Sequence, residues 1–244
     1  ETLYACHKAF YDPANMVLCV AGPVDPEHIC AVAREILPGE AGPIAAKDYG
    51  EKEPPQAAQS LIEERMEVSA PIFQLGWKGD AQRNGEDRLR QELVGGLALE
   101  VLLGSSSPLY AKLYRDGLIN QEFGYGYEDS FGCAFLAANG ESRDPEAVRM
   151  AVAEEAARIG REGVDKQLWE RVKKGVYGNR VRALNSFEHL CVGQAQAFFA
   201  GYDFLRFAEL FDAITKKEAE ELIANWVTEE RCALSVVRAK EAVQ

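Results

Sequence analysis

The sequence predicts an α+β fold of two layers, in which helices pack on one face of a mostly antiparallel sheet. Segments with apolar residues at helical spacing alternate with paired strand-like runs, rather than with the single strands of a doubly wound fold. No strand-to-helix turn carries a glycine-rich phosphate-binding loop of the G-x-G-x-x-G or G-x-x-x-x-G-K-[ST] type. These two observations favour the two-layer class over a nucleotide-binding α/β fold.

Residue patterns at the helix starts place most of the helices. Asp25-Pro26-Glu27 and Asp144-Pro145-Glu146 each combine a capping side chain, a proline at the first helical position and an acidic residue near the positive helix end. Thr215 to Glu218 has the capping-box pattern. The predicted helices lie at 3–11, at 25–37, at about 86–103, at 109–114, from 144, from 165 and at 215–226.

Strand-like runs occupy the intervals between the helices. The predicted strands lie at Asn15–Val20, Glu64–Val68, Ile72–Trp77, Phe123–Tyr127, Gly132–Ala138 and Cys232–Val237. In the fourth run, aromatic residues alternate with glycines, which is typical of a strand with one buried face; a ligand platform is the alternative interpretation. The three tryptophans, Trp77, Trp169 and Trp226, lie on different elements and are interpreted as core residues.

The sequence predicts that the chain divides into a short N-terminal part and a long C-terminal part. Residues 38–60 are rich in Pro, Gly and Ala and are interpreted as a linker. A helix, a short polar turn and an apolar strand follow one another both near the beginning and at the end of the chain. We therefore expect residues 1–37 to close a preceding domain and residues 61–244 to form a complete second domain of the same fold. The initial Glu1 favours a chain cut from a longer protein.

Composition excludes several classes of partner. The net charge of −12 leaves no basic excess for nucleic acid or an anionic membrane, although basic peptides are compatible with it. No apolar run is long enough to span a bilayer. The six cysteines are scattered without a C-x-x-C pair, which disfavours a disulfide framework or a zinc knuckle and favours a reducing cytoplasm.

Two stretches carry a resemblance to a known family. Phe10–Leu18 followed by Val20–Pro26 is similar to F-Y-x-P-x-N-M-x-L-x-V-x-G-x-V-D-P of the pitrilysin/insulinase family of zinc metallopeptidases. Gly104–Leu118 resembles the signature of that family's second half, a small-residue turn and a helix of the form L-x-x-x-L-R before G-L-x-Y. The resemblance implies an insulinase-like α+β domain, and it points to poorly characterised bacterial zinc proteases.

The family's metal site is absent from this sequence. The resemblance implies an H-x-x-E-H helix, in which two imidazoles hold zinc and a glutamate activates water. The only histidines are His7, His28 and His189, so no helix can present two of them to one ion. We therefore expect no catalytic residue, no zinc and no peptidase activity in this chain, and zinc in the missing half of its parent.

The resemblance also implies candidate substrate-binding residues. The family's second half contributes an Arg and a Tyr that bind substrate carbonyls. The Arg position is Tyr114, with Arg115 one place later, and the Tyr position is Asn120 or Ile119. These departures leave the substrate-binding role open. For Arg115 the competing interpretation is a solvated charge at a helix end.

Two functions follow, with an unrelated α+β binding domain as a third alternative. The first is the C-terminal, non-catalytic half of a zinc metallopeptidase, which walls the substrate chamber, binds peptide and docks on the metal-binding half. The second is a catalytically empty member that serves as a substrate-binding or structural subunit in a heterodimer. The expected partners are a catalytic half and a peptide substrate, without nucleic acid or membrane, and a dimer is an open option.

Overall fold

A computed structural model describes residues 1–37, 42–44, 46, 48, 50, 53–80, 85–130 and 132–240. Within these residues the chain forms α-helices, one five-stranded sheet and short 3-10 helices at Pro13–Asn15 and Phe204–Arg206. The helices are α1 (Thr2–Phe10), α2 (Pro26–Ile36), α3 (Gly85–Leu103), α4 (Pro108–Arg115), α5 (Pro145–Glu162), α6 (Lys166–Ala183), α7 (Phe187–Ala200), α8 (Phe207–Asp212) and α9 (Lys216–Trp226). The strands are β1 (Leu61–Met66), β2 (Ile72–Gly79), β3 (Gly124–Ser130), β4 (Cys133–Glu141) and β5 (Cys232–Ala239). The predicted α+β class is confirmed.

The sheet has the strand order β1-β5-β2-β4-β3. Three of its pairings are antiparallel, and the pairing of β1 with β5 is parallel. The predicted hairpin of Phe123–Tyr127 with Gly132–Ala138 is confirmed as β3–β4, in which Tyr125 lies opposite Ala138. The last strand therefore returns to the interior of the sheet and brings the two ends of the long unit together.

Capping side chains begin the helices where the sequence predicts. The side chains of Asp25, Asp144 and Asp165 accept hydrogen bonds from the backbone N–H groups of the first turns of α2, α5 and α6. Thr215 and Glu218 form a complete capping box at the start of α9. These local interactions fix the helix starts independently of tertiary packing.

The core lies between the sheet and the helix layer. On β2, Phe73, Leu75 and Trp77 alternate with exposed or half-buried residues and are at most 2% exposed. The central helix α3 packs against β3 and α9. Gly95 on α3 lies against the ring of Tyr127, and a Cβ atom at this position would overlap the ring. Close packing of α3 on β3 therefore requires a glycine at position 95.

All three tryptophans are core residues, as predicted, with exposures of 2% for Trp77, 8% for Trp169 and 5% for Trp226. Among the described residues, no single helix is long and apolar enough to cross a membrane. Helices α3 and α4 are long and apolar enough for a membrane span only when they are taken together, and the pair is bent by 44°.

The predicted strand at Asn15–Val20 is wrong for this chain. Residues 16–20 have no regular secondary structure, and no strand of the described structure pairs with them. Met16, Leu18 and Val20 are 54%, 65% and 48% exposed, so the segment is not buried either. The physical reason is that a strand needs a neighbouring strand for its backbone hydrogen bonds. Residues 15–20 have the apolar pattern of a strand, but no neighbouring strand pairs with them within the described residues.

Other differences concern boundaries. β1 covers Leu61–Met66 rather than the predicted Glu64–Val68. Helices α7 and α8 were not predicted, because α7 is apolar on several sides and shows no clear stripe. In the predicted linker 38–60, residues 38–41, 45, 47, 49, 51 and 52 lie outside the described residues. The division into 1–37, 38–60 and 61–244 stays a prediction.

Candidate functional site

Helix α4 carries two of the predicted substrate-binding residues on its last turn. Ser107 begins the helix, because its Oγ accepts a hydrogen bond from the Tyr110 N–H at 3.0 Å, and Pro108 occupies the first helical position. Leu109 and Leu113 are buried. The helix ends before Gly117, whose φ of 65° lies in the left-handed region. Its end is therefore set by local chemistry.

Tyr114 lies at the exposed end of a row of aromatic rings. It is 46% exposed, and its ring stacks on Tyr110 with centroids 6.0 Å apart and an interplanar angle of 12°. Tyr110 in turn lies 6.2 Å from the ring of Phe123. The row connects the surface to the core and holds the Tyr114 ring in a defined position beside solvent.

Arg115 points into solvent. Its side chain is 75% exposed, and its Nε lies 3.7 Å from Asp116 Oδ1. An ion pair of this length in solvent contributes little stability. The solvated-charge interpretation therefore describes Arg115 in this structure, and its guanidinium remains accessible to a ligand.

Asn120 and Ile119 were the two alternatives for one position, and they lie in different environments. Ile119 is 5% exposed and belongs to the core. The Asn120 side chain accepts a hydrogen bond from the Glu122 N–H at 2.9 Å and donates one to Glu141 Oε2 at 3.2 Å. Asn120 is therefore the alternative in a polar environment. Both its Oδ1 and its Nδ2 form hydrogen bonds within the chain.

The residue that fixes this loop was not among the predicted ones. Arg143, between β4 and α5, donates from Nη2 to the Asp116 carbonyl at 2.7 Å. This hydrogen bond joins the end of α4 to the turn after β4. It depends on the tertiary fold, so no local pattern could have found it. Among the described contacts, Tyr114 and Arg115 contact residues of α4 and its C-cap, whereas Asn120 is hydrogen-bonded to Glu141 on β4.

The face of the sheet opposite the helix layer is open. We define the amide row as Ser235, Gln74, Asn139 and Gly124, which lie side by side on β5, β2, β4 and β3. The first three of these residues are exposed. Glu141, the partner of Asn120, lies two residues from Asn139 on β4 and therefore on the same face.

A second row on the open face consists of small residues. Ala233, Gly76, Ala137 and Gly126 are directly paired across β5, β2, β4 and β3. Because these side chains are small, a ligand on this row can approach the sheet backbone closely. The neighbouring amide row offers it side-chain hydrogen-bond donors and acceptors. The open face therefore carries a row with polar side chains beside a row of small residues, and the Asn120–Glu141 pair lies at one end.

The tyrosines of β3 face the helix layer instead. The Tyr125 hydroxyl donates to Glu100 Oε2 on α3 at 2.7 Å, and the Tyr127 hydroxyl donates to Gln91 Oε1 at 3.1 Å. Burial, reinforced for Tyr125 by the Glu100 carboxylate and for Tyr127 by Asp129, raises the pKa of both phenols. They remain neutral at ordinary pH and act as packing groups, so the buried-face interpretation of this strand describes them.

The histidines lie on three separate helices. His7 stacks on Tyr11 at 4.8 Å between ring centroids, His28 is exposed on α2, and His189 on α7 lies 6.1 Å from the ring of Phe204. In the part of the chain that the structure describes, no three His, Cys, Asp or Glu side chains are grouped so that they could hold a metal ion. The donor set of this chain does not fit the family's zinc site.

Known proteins resemble this chain in sequence and in fold. The family described as the peptidase M16 inactive domain matches residues 1–176. A curated Bacillus subtilis protein, the uncharacterised zinc protease YmfH, is 31% identical over 239 residues, which make up 94% of this chain and 53% of that protein. The chain thus spans about half the length of this curated relative.

Solved structures agree in fold. An M16-like peptidase from Alicyclobacillus acidocaldarius is 23% identical with a TM-score of 0.86, covering 98% of this chain and 57% of that one. The inactive peptidase domain of a Bordetella parapertussis zinc protease is 13% identical with a TM-score of 0.60, covering 74% of this chain and 97% of that domain. The pitrilysin/insulinase resemblance is confirmed, and the chain belongs to the M16 peptidase family, with the inactive domain as the part that it matches.

Proposed function

We propose that this chain is the non-catalytic half of a zinc metallopeptidase, and that its open sheet face walls the substrate chamber and binds peptide. The inactive domain of the M16 family pairs with a catalytic half, which supports a partner that supplies the metal. The carrying observation is the open face itself, where the amides of Gln74 and Asn139 and the hydroxyl of Ser235 lie side by side on three strands, on the face opposite the packed helices.

The chemistry of the open face suits a peptide backbone. Each side-chain amide of Gln74 and Asn139 offers a donor and an acceptor, as a peptide group does. The small residues beside them allow the chain of a ligand to approach the sheet. Arg115 lies apart from this face, at the exposed end of α4 in the helix layer, and offers a separate cation to a substrate carbonyl or carboxylate. The proposal therefore assigns backbone recognition to the sheet and leaves bond cleavage to the metal-binding half.

The test uses the complete protein and a fluorogenic peptide. Gln74→Leu removes one amide from the amide row, and we expect KM to rise about 5- to 20-fold, the effect of roughly 1–2 kcal/mol for a lost hydrogen bond, with little change in kcat. Gln167→Leu is the matched control, because Gln167 is exposed on the helix layer. Equal KM values for both variants would refute the chamber role of the open face.

A second candidate is a catalytically empty subunit of a heterodimer. Tyr114 in place of Arg and Asn120 in place of Tyr favour it, since both departures fall on the family's substrate-binding positions. Zinc analysis of the complete protein separates the two proposals. Stoichiometric zinc supports catalysis within one protein, and its absence, together with cleavage only after a second chain is added, supports the heterodimer.

We further propose that the protein works in the cytoplasm. All six cysteines are free, and only Cys232 among them is buried. Exposed thiols such as Cys6, Cys30 and Cys133 are suited to a reducing compartment, where they remain unpaired.

A further inference from the structure

A third row crosses the open face, on the side of the amide row away from the small residues. We define the acidic row as Glu64, Val237, Ile72 and Glu141, which are directly paired across β1, β5, β2 and β4. The last three each lie two residues along a strand from a member of the amide row and therefore share its face. Ile72 is 43% exposed. The acidic row thus has a carboxylate at each end and two apolar side chains between them.

The charges of the two carboxylates are not neutralised within the described structure. Glu64 is exposed, and among the described contacts it has no hydrogen-bond or ion-pair partner. Glu141 accepts a hydrogen bond from the neutral amide of Asn120, which leaves its negative charge uncompensated. A cation on the same face, Lys78, is already paired with Glu53 at 2.6 Å. The acidic row therefore presents two negative charges to a ligand on the open face.

The separation of the two carboxylates matches the repeat of an extended peptide. Neighbouring strands lie about 4.8 Å apart, so the three strand spacings from Glu64 to Glu141 amount to about 14 Å between Cα atoms. An extended peptide rises about 3.4 Å per residue, so its residues i and i+4 are also about 14 Å apart. The side chains of residues i, i+2 and i+4 point to the same side. A peptide that crosses the strands can therefore direct three side chains at the acidic row.

The three rows suit three parts of such a peptide. Its backbone lies on the amide row, where Gln74 and Asn139 offer donors and acceptors. Side chains i+1 and i+3 lie over the row of small residues, which leaves room for them. Side chains i, i+2 and i+4 lie over the acidic row, where cations at i and i+4 each meet a carboxylate. An apolar side chain at i+2 covers Val237 and Ile72 and removes apolar surface from water.

We infer that the open face selects extended peptides with basic side chains at positions i and i+4 and an apolar side chain at i+2. The inference rests on the proposed function, in which this face binds the peptide backbone, and it adds the side chains that are recognised. Glu64 and Glu141 are the specificity-determining residues, and charge complementarity over a fixed distance is the means of selection. The pattern reads the same in both directions, so it does not depend on the direction of the bound peptide.

Two labelled peptides of equal composition test the spacing. GSKSLSKSG has its lysines at i and i+4 and its leucine at i+2, whereas GSKSLKSSG has its lysines at i and i+3. Fluorescence anisotropy with the complete protein measures both Kd values, with EDTA present so that no metal-dependent cleavage occurs. We expect GSKSLSKSG to bind about 5- to 10-fold more tightly at low salt, and the preference to shrink as salt screens the charges. Equal Kd values at low salt would overturn the inference.

Charge-removing variants of the complete protein test the two residues. Glu64→Gln and Glu141→Gln each remove one charge, and the second keeps an oxygen that accepts the Asn120 hydrogen bond. We expect each to weaken binding of GSKSLSKSG about 3- to 5-fold, and the double variant to bind both peptides equally. Glu154→Gln is the matched control, because Glu154 is exposed on α5 in the helix layer. An equal loss in Glu154→Gln would assign the effect to net charge and contradict selection by the acidic row.

Gln74→Leu separates failure of this inference from failure of the proposed function. We expect it to weaken binding of both peptides by the same factor, because it removes a contact with the backbone. If Gln74→Leu weakens both while the glutamate variants change nothing, the peptide-binding role of the open face stands and the selection rule falls. If the glutamate variants abolish the preference while Gln74→Leu changes nothing, the selection rule stands and backbone recognition by the amide row falls. Unchanged binding in all of these variants would overturn both.

Discussion

Residues 2–20, which we call the first unit, and residues 218–236, the second unit, both consist of a helix followed by an apolar segment, but their surroundings differ. Helix α9 and β5 form part of the core, whereas α1 and residues 16–20 lie outside it. The backbone of α1 is helical in spite of this, because a helix satisfies its hydrogen bonds within itself. Residues 16–20 form no strand, because the hydrogen-bond partners of a strand must come from another segment. A helix is therefore specified locally, and a strand only together with its neighbours.

The largest expected effect is the difference between the losses of stability caused by truncating Leu234 and by truncating Leu18, which occupy corresponding places in the two units. Leu234→Ala removes a side chain that is 1% exposed, and we expect the free energy of unfolding to fall by about 2–5 kcal/mol. Leu18→Ala removes one that is 65% exposed, so we expect a change within about 0.5 kcal/mol. Urea unfolding of the 244-residue chain measures both. A loss above about 1.5 kcal/mol for Leu18→Ala would show that the first unit packs in this chain.

A smaller effect is expected at the helix starts. Thr215→Ala breaks the capping box of α9 and should cost about 1 kcal/mol. Glu1 at the start of α1 makes no side-chain capping hydrogen bond, so Glu1→Ala serves as the control and should change little. The same unfolding experiment compares them, and equal effects would mean that the box does not stabilise the second unit.

The smallest effect concerns acid stability. Burial opposes ionisation of Glu218, but hydrogen bonds from Thr215 and Arg90 outweigh it, and its pKa lies below the ordinary 4.5. A lowered carboxyl pKa contributes stability above the unfolded-state pKa, and this contribution is lost as the pH falls through the folded-state pKa. We expect Glu218→Gln to flatten the fall in stability below about pH 4.5.

The control for this pH dependence is Glu221→Gln, because Glu221 is an exposed carboxylate on the same helix that pairs with Lys217 in the described structure. The measurement is the urea midpoint between pH 6 and pH 3. A steeper fall in Glu218→Gln than in the unchanged chain would contradict the assigned direction of the pKa shift.

Sequence patterns located the parts of the fold that depend on nearby residues. The capped starts of α2, α5 and α9 and the β3–β4 hairpin were found because their signals lie within a few residues. The parallel pairing of β1 with β5 was not found, because it joins residues that are far apart in the chain. Helix α7 was missed because its buried positions are the small residues Gly193, Ala197 and Ala200, which carry no strong apolar pattern.

The candidate site was predicted only in part. The family resemblance led to Tyr114, Arg115 and Asn120, and the structure gives each a different environment. The contact of Asn120 with Glu141 and that of Arg143 with Asp116 depend on the strand register and the loop geometry. The amide row likewise exists only when β5, β2, β4 and β3 are aligned. Local sequence contains the residues of this surface but not their alignment.

The outer strand β1 has a consequence for the behaviour of the protein in concentrated solution. All six of its residues are exposed, and its outer edge is not paired with another strand in the described structure. Such an edge can template the addition of strands from other molecules. Glu63, Glu64 and Arg65 interrupt its apolar ends, and charges on an edge strand oppose that stacking. We therefore expect these three charges to oppose the addition of strands from other molecules at this edge.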